Sequence, residues 1–339
     1  MTLRRSTIQD VADAARVSRS VVSRVLNNAP IRISEEKRKC IQAAARRLNY
    51  TPHAGARRLA LQKSETLRLI LPEKTSAVSE VFILELMRCI TQSARASGYD
   101  IVLDLYQPCD LERLVSRPGQ ADGTMLVLDR NAPPEMVALL EGRIQPLVTI
   151  GGSFAKSQPA NFVDADIREG LAAGTSHLLA IGHRRIAFLS DVPSKAKYEG
   201  YLQAIRRFGK NAQPLPELVC GESEETSAKA IHKIMSNSSR PTAVVCTTDT
   251  LALRVIQHVS ALDMHVPKDL SVVGFYDNII ASLTNPALTT VRVPTRAIAQ
   301  ATIDNLVKRI RGANTPTLRD VLPCELIVRQ STAAAGTAT

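Results

Sequence analysis

Near the start of the chain, Arg19, Ser20 and Arg24 fall on what would be the exposed face of a short helix. Arginine can donate two parallel hydrogen bonds to the O6 and N7 edge of guanine, and serine can reach any base edge. The surrounding pattern makes that chemistry usable. Ser18 begins the helix, and Val21, Val22, Val25 and Leu26 recur at helical spacing, leaving Arg19, Ser20, Ser23, Arg24 and Asn27 outward. A preceding helix starts at Thr7, whose hydroxyl caps it while Asp10 reaches back, and it carries the apolar stripe Ile8, Val11, Ala12 and Ala15. A third starts at Ser34, with Glu35 and Glu36 in its positive first turn and Ile41, Ala44, Ala45 and Leu48 facing inward.

Counting from Ile8 as one, an aliphatic stands at four (Val11), a small residue at five (Ala12), and aliphatics at fifteen and eighteen (Val22, Val25). That is helix-turn-helix spacing: Ala12 lets two helices cross closely, so the second projects its N-terminal residues into a major groove. On this reading Arg19, Ser20 and Arg24 read bases. Thr7, Ser18, Ser23 and Asn27, with Arg38 or Lys39, meet phosphates, which position a protein without reading sequence.

The charge distribution agrees. Residues 1–63 hold 14 Lys/Arg against four acids, whereas the remaining 276 hold 29 against 28. The head therefore meets a polyanion and the body does not. Its six cysteines (Cys40, Cys89, Cys109, Cys220, Cys246, Cys324) are scattered and read as reduced packing residues, with no metal or cofactor expected. No apolar run reaches the ~18–20 residues that cross a bilayer, and no signal-peptide stretch follows Met1, so a cytoplasmic protein without membrane attachment is expected. Catalysis is not expected either: there is no Gly-rich phosphate loop, H-E-x-x-H or G-x-S-x-G, and the histidines have no evident partner.

Thr7-Ile-Gln-Asp-Val-Ala-Asp-Ala-Ala-Arg-Val-Ser-Arg-Ser-Val-Val-Ser-Arg-Val-Leu-Asn-Asn28 resembles the head of the lac/galactose repressor (LacI/GalR) family, and Ile33-Ser-Glu-Glu-Lys-Arg38 and Leu48-Asn-Tyr-Thr-Pro52 extend the likeness. Arg16 departs from it, standing in the turn where the family has Gly. The resemblance implies a hinge helix after Pro52, paired across a dimer in the minor groove. Leu59 would be the wedge between base pairs with Ala56 a turn earlier, and Arg57 and Arg58 would add phosphate attraction. A floppy basic linker is the plainer alternative.

From residue 66 onward, apolar runs at 67–71, 101–105, 124–128, 147–150, 186–190, 243–247 and 271–275 alternate with helix-length amphipathic segments. Such alternation calls for parallel sheets with helices on both faces. Here the chain resembles the family's periplasmic-binding-protein-like body: Ser176-His-Leu-Leu-Ala-Ile-Gly-His-Arg-Arg-Ile-Ala-Phe188, Val266-Pro-Lys-Asp-Leu-Ser-Val-Val-Gly-Phe275 and Leu288-Thr-Thr-Val-Arg-Val-Pro294 match its usual phrases. The expected fold is an all-α helix-turn-helix head with a hinge helix, plus an α/β body of two doubly wound parallel-sheet subdomains. Its divisions would be 1–52 (head), 53–63 (hinge), 64–330 (body) and 331–339 (flexible tail). Within the body, one subdomain would take about 64–163 and 293–322 and the other about 164–292 and 323–330.

The resemblance also implies a small-molecule effector in the cleft between the subdomains, where loops leave the carboxyl ends of the strands. Asp249 and Phe82 fit the family's pocket. Lys197 replaces an Arg, Thr248 an Asn, Gly151-Gly152 an Asp-Arg pair, and Tyr276 the first of two acids, leaving Asp277. Gly151, Lys197, Thr248, Asp249, Tyr276, Asp277 and Phe82 are thus the expected effector residues. The loss of a fork-like Arg and of an acid argues against a plain sugar, and the Lys197 cation favours a carboxylated or phosphorylated metabolite or sugar derivative. A body that only dimerises is the rival reading. The expected function is that of a regulator, most simply a repressor, binding a palindromic double-stranded DNA operator as a homodimer, with no leucine heptads in the tail for a tetramer.

Arg19→Ala is expected to relax specificity at one base position by ~1–3 kcal/mol. Binding-site selection with the variant measures this, and recovery of an unaltered consensus would exclude Arg19 as a base reader.

Overall fold

In the computed structural model, Thr7 caps the first helix, α1 (Ile8–Ala15), in a full capping box with Asp10. The structure describes residues 6–26, 30–50, 64–73, 80–107, 111–116, 121–128, 134–153, 158–208, 212–221, 223–237, 239–313 and 315–336. α2 (Arg19–Leu26) and α3 (Glu35–Arg47) follow, the latter capped by Ser34. Val11, Ala12, Val22, Val25, Ile41, Ala44 and Ala45 form one buried cluster, the residues singled out by period and spacing. Ser6 Oγ donates to Leu48 O at 2.7 Å and ties the start of the head to the end of α3.

Arg16 closes α1 in the left-handed region, at φ 51 and ψ 49, with its amide donating to Ala12 and Asp13 carbonyls. A side chain there meets a steric penalty that Gly escapes. Hinge residues 53–63, including Ala56, Arg57, Arg58 and Leu59, lie outside the described residues, as does Asn27.

The chain divides into Met1–Glu65 and Thr66–Thr339. The second unit holds two sheets. β1 (Thr66–Pro72), β2 (Asp100–Tyr106), β3 (Gly123–Val127), β4 (Leu147–Ile150), β5 (Phe162–Ala165) and β11 (Arg319–Leu322) form the first, in the order β11-β5-β4-β3-β1-β2, all parallel. β6 (Ile186–Ser190), β7 (Leu218–Val219), β8 (Ala243–Cys246), β9 (Ser271–Tyr276), β10 (Thr289–Arg292) and β12 (Glu325–Ile327) form the second, in the order β12-β10-β9-β8-β6-β7, with β12 antiparallel.

Between the strands run α4 (Glu80–Ala96), α5 (Leu111–Val115), α6 (Pro134–Arg143), α7 (Ile167–Ala180), α8 (Lys195–Phe208), α9 (Glu224–Met235), α10 (Asp249–Ser260), α11 (Ile279–Leu283) and α12 (Thr295–Ile310). β1, β3, β4, β6, β8 and β9 are buried along their length, as strands covered on both faces must be. Strand order reverses between β1 and β3 in one half and between β6 and β8 in the other. Those reversals place two switch points at the carboxyl ends of the strands.

The chain crosses between the halves after β5, after β10 and after β11, since α12 packs on α4 and on the first sheet while β12 joins the second. One departure from the expected pattern is Arg68, buried in mid-β1. Its guanidinium is held by Leu114 O at 2.7 Å and by Asp104, which also pairs with Arg113 at 3.0 Å. Burial alone would raise the Asp104 carboxyl, but hydrogen bonds from Arg68 and Arg113 outweigh it and hold the group below its usual range.

The expectation of a flexible tail from 331 needs correction. Ser331 is fully buried; its Oγ donates to Val272 O at 2.6 Å and accepts from Thr289 N at 2.8 Å. His183 bonds Ala333 O at 3.0 Å, and Ala335 N donates to Ile181 O at 2.9 Å. Small Ala, Ser and Thr side chains let this backbone lie directly against the sheet end, an anchorage carried by polar groups and so invisible to apolar patterning.

Arg16→Gly is expected to stabilise the head by about 1 kcal/mol by relieving the left-handed residue. Urea unfolding of the full chain, followed by a probe on the head, measures it; a variant no more stable than the parent would contradict the strain.

Candidate functional site

In the head, burial of Val22 and Val25 turns the opposite side of α2 outward, leaving Arg19, Ser20 and Arg24 exposed together with Ser18. The Ser18 and Ser20 hydroxyls lie 3.0 Å apart, and Val21 N donates to Ser18 Oγ at 3.4 Å. Ser18 thus supports the helix start and braces Ser20. Thr7 donates through its hydroxyl to Asp10 at 2.8 Å, so any phosphate contact from Thr7 comes alongside its capping role. Ser23 is half-buried on the same helix.

In the body, the second switch point gathers polar groups at the ends of β6, β8 and β9. Lys197 on α8 is buried; its Nζ donates to Thr247 O at 2.5 Å and stands 4.2 Å and 4.3 Å from the ring centres of Phe275 and Tyr276. A buried ammonium must be compensated, and a carbonyl with two ring faces does so. The Lys197 ammonium thus has partners within the chain, while its charge still acts on the nearby Asp191 and Asp249 carboxyls. Thr248 caps α10, accepting from Leu251 N at 3.0 Å and donating to Asp191 Oδ2 at 2.7 Å. It positions Asp191.

Asp249 is fully buried, with Oδ1 accepting from Thr290 Oγ1 at 2.5 Å and Oδ2 from Asn278 N at 2.8 Å. Burial pushes its carboxyl up to about 7 against the pull of those two bonds. It pins the β9–β10 region rather than facing a ligand, and only Gly fits at 274, where a Cβ would collide with that carboxylate. Asp277 is gripped by Arg292 at 2.8 Å and Arg329 at 2.6 Å. Gly151, at φ 88, ends β4 with its amide on Val163 O. Phe82 on α4 meets Tyr276 with ring centres 4.9 Å apart.

Sequence reasoning missed Asp191, Ser190, Ser194 and Asn278. Among the described residues, Ser190 Oγ, Asp191 Oδ1, Ser194 Oγ and Asn278 Nδ2 are buried without a hydrogen-bond partner, although buried polar atoms rarely stay unpaired. Burial raises the Asp191 carboxyl, opposed by the Thr248 hydroxyl and by Lys197 and Arg254. The rule that ligands meet loops at carboxyl strand ends pointed to Ser190 and Asp191, which directly follow the β6 run. A groove of about 530 Å³ runs between α4 and α11, with Leu84, Arg88, Ile279 and Arg329 in its walls; it shares Asp277 and Asn278 with the site but includes none of Ser190, Asp191, Lys197 or Thr248.

Residues 7–53 match the bacterial regulatory proteins of the lacI family, and residues 175–332 match the periplasmic binding protein-like domain. The HTH-type transcriptional repressor PurR of Pectobacterium atrosepticum is 32% identical over 319 residues, 90% of each chain. This chain belongs to the lacI family. It is a DNA-binding transcriptional repressor of that family with a periplasmic-binding-protein-like body, not an enzyme. The HTH-type transcriptional repressor CytR of Escherichia coli strain K12 is 28% identical over 97% of each chain. The lac repressor dimer bound to operator and the anti-inducer ONPF shares the fold, with a TM-score of 0.81 at 24% identity, covering 98% of this chain and 100% of that one. Among the described residues no helix is long and apolar enough to cross a membrane.

Asp249 gives the family member a pH signature. The unfolded chain releases this proton near pH 4, the native chain only near 7, so the native state binds more protons between those values. Stability therefore falls as pH rises from about 4 to about 7 and levels off above, with Asp191 adding in the same direction. Asp249→Asn is expected to flatten this slope in urea midpoints taken across that range; an unchanged slope would remove Asp249 as its source.

Proposed function

We propose that this repressor binds a near-palindromic operator as a homodimer and answers to a small molecule taken up at the second switch point. Arg19, Ser20 and Arg24 read bases. Thr7, Ser18, Ser23, Asn27, Arg57 and Arg58 meet phosphates, and Ala56 and Leu59 enter the minor groove. Residues 1–52 serve as head, 53–63 as hinge and 64–330 as the effector-binding and dimerising body, in the cytoplasm where the operator lies. The observation that carries the effector reading is the set of unpartnered buried atoms on Ser190, Asp191 and Ser194, flanked by Lys197, Thr248 and Tyr276. A ligand with hydrogen-bond donors and acceptors would satisfy them. Asp249 and Asp277 contribute by holding the floor of the site, through Asn278 and through Arg292 and Arg329.

Dimerisation is supported by large apolar side chains left exposed on the body. Leu84 on α4 is 65% exposed, Ile279 and Leu283 on α11 are 65% and 75% exposed, and the open edge strand β2 presents Leu103 and Leu105. Leu84 and Ile279 line one groove, and neighbouring exposed aliphatics of this size favour association. A single head reads few base pairs, so pairing two is what makes an operator distinctive. Genome-wide mapping of bound sites tests the regulator reading: expected are few strong sites with two inverted half-sites about one helical turn apart, whereas uniform coverage would refute it.

Leu283→Glu is expected to move the full chain from dimer to monomer in sedimentation at micromolar concentration and to weaken operator binding by at least tenfold. A variant that remains dimeric would place the interface elsewhere.

A further inference from the structure

The turn between α1 and α2 is closed by a residue poorly suited to it. Arg16 stands at φ 51 and ψ 49, in the left-handed region. Glycine occupies that region without penalty, and asparagine or aspartate tolerates it because a short polar side chain bonds the backbone nearby. Elsewhere the chain follows that preference, with Asn49 at φ 48 and Asp263 at φ 57. A long side chain gains nothing of that kind.

Nor does the Arg16 guanidinium serve the fold. It is exposed, and among the described residues it has no hydrogen bond or ion pair. The turn is bonded through the backbone, Arg16 N donating to Asp13 O at 3.3 Å and Val17 N to Ala12 O at 3.0 Å. Asp13, the acid closest to Arg16 in sequence, accepts from Gln9 Nε2 at 2.7 Å instead, and Asp10 is engaged by Thr7 in the helix cap. A cation kept at a strained position and unused within the chain points to a partner outside it.

The place of Arg16 in the chain says what that partner is. Ser18, Arg19 and Ser20 follow it by two to four residues, all exposed at the start of α2. A helix that reads bases with its first turn enters the major groove by that end, so the residues just ahead of it pass the rim of the groove, where the phosphates lie.

We propose that Arg16 binds a backbone phosphate of the operator at the edge of the half-site, and that its strained conformation is kept for this contact. The proposal rests on the reading that the start of α2 enters the groove. It divides five residues by role: Arg16 and Ser18 hold phosphate, Arg19 and Ser20 read bases. It also gives Arg16→Gly opposite signs in two assays, a more stable head and a weaker grip on DNA.

The full-length parent is compared with Arg16→Gly, Arg16→Asn and Arg16→Lys on two duplexes of equal length. One carries the consensus that the parent selects from random DNA, and the other is scrambled. Each lost phosphate contact flattens the dependence of log affinity on log salt by about 0.9, so a dimer losing one per head should show a slope smaller by about 2. That flattening is expected for Arg16→Gly and Arg16→Asn on both duplexes, with affinity down severalfold and the selected consensus unaltered. Arg16→Lys keeps the charge and should keep the parent slope. A urea midpoint for Arg16→Gly at or above the parent's shows that weaker binding does not come from unfolding.

A parent-like slope in Arg16→Gly and Arg16→Asn overturns the contact. So does a changed consensus, which would make Arg16 a base reader, and so does a slope flattened equally by Arg16→Lys, since charge would then not be the cause. Arg19→Ala in the same assays separates this failure from that of the α2 reading. A consensus relaxed by Arg19→Ala beside a slope unmoved by Arg16→Gly removes the Arg16 contact alone, whereas a consensus and a slope unmoved by either variant remove both.

Discussion

A carboxylate with no water around it must be fully hydrogen-bonded or discharged, and much of the second half of the body is arranged around that demand at Asp249. Its two oxygens fasten the loop after β9, through Asn278 N, to strand β10, through Thr290 Oγ1, while the residue itself begins α10. Three elements are thereby registered at one point, and Gly274 on β9 is required to make room. The residues that follow β9 hang from this anchor. Asn278 opens α11, Asp277 precedes it in the grip of two arginines, and Tyr276 is delivered in its unusual backbone conformation to meet Lys197 and Phe82.

The head and the body solve opposite electrostatic problems. The head displays its charge: its arginines stand out from a small apolar core, where solvent and eventually phosphate compensate them. The body buries charge and compensates it internally, as Lys197 does with a carbonyl and two rings and Arg68 with Asp104 and a helix-end carbonyl. The sequence shows the same contrast, near-neutral balance over residues 64–339 and strong positive balance over residues 1–63.

The head was legible in the sequence down to its caps and its core, because helical period and capping chemistry are local. The buried strands β1, β3, β4, β6, β8 and β9 were legible too, as apolar runs. β5, β7, β11 and β12 were not: Asp164, Arg319, Asp320 and Glu325 break the apolar run in three of them, and β7 has only two residues. What makes them strands is a neighbour already in place, which is a tertiary cause. The site divided in the same way. Residue types at the cleft were readable, but Lys197, Asp249 and Asp277 turned out to be engaged with Thr247, Thr290, Arg292 and Arg329, partners distant in sequence.

The closing strands carry a consequence for how the molecule is made. β11 completes the first sheet and β12 the second, and Ser331 to Ala335 lock onto β9 and the turn before β6. All of these emerge from the ribosome after the other strands of the body, whereas the head's core ends at Tyr50. Domains form from the N-terminus during synthesis. A nascent chain therefore carries its DNA-reading head well before either half of its body is closed, and the stretch from Arg319 to Ala335 supplies the pieces that finish both.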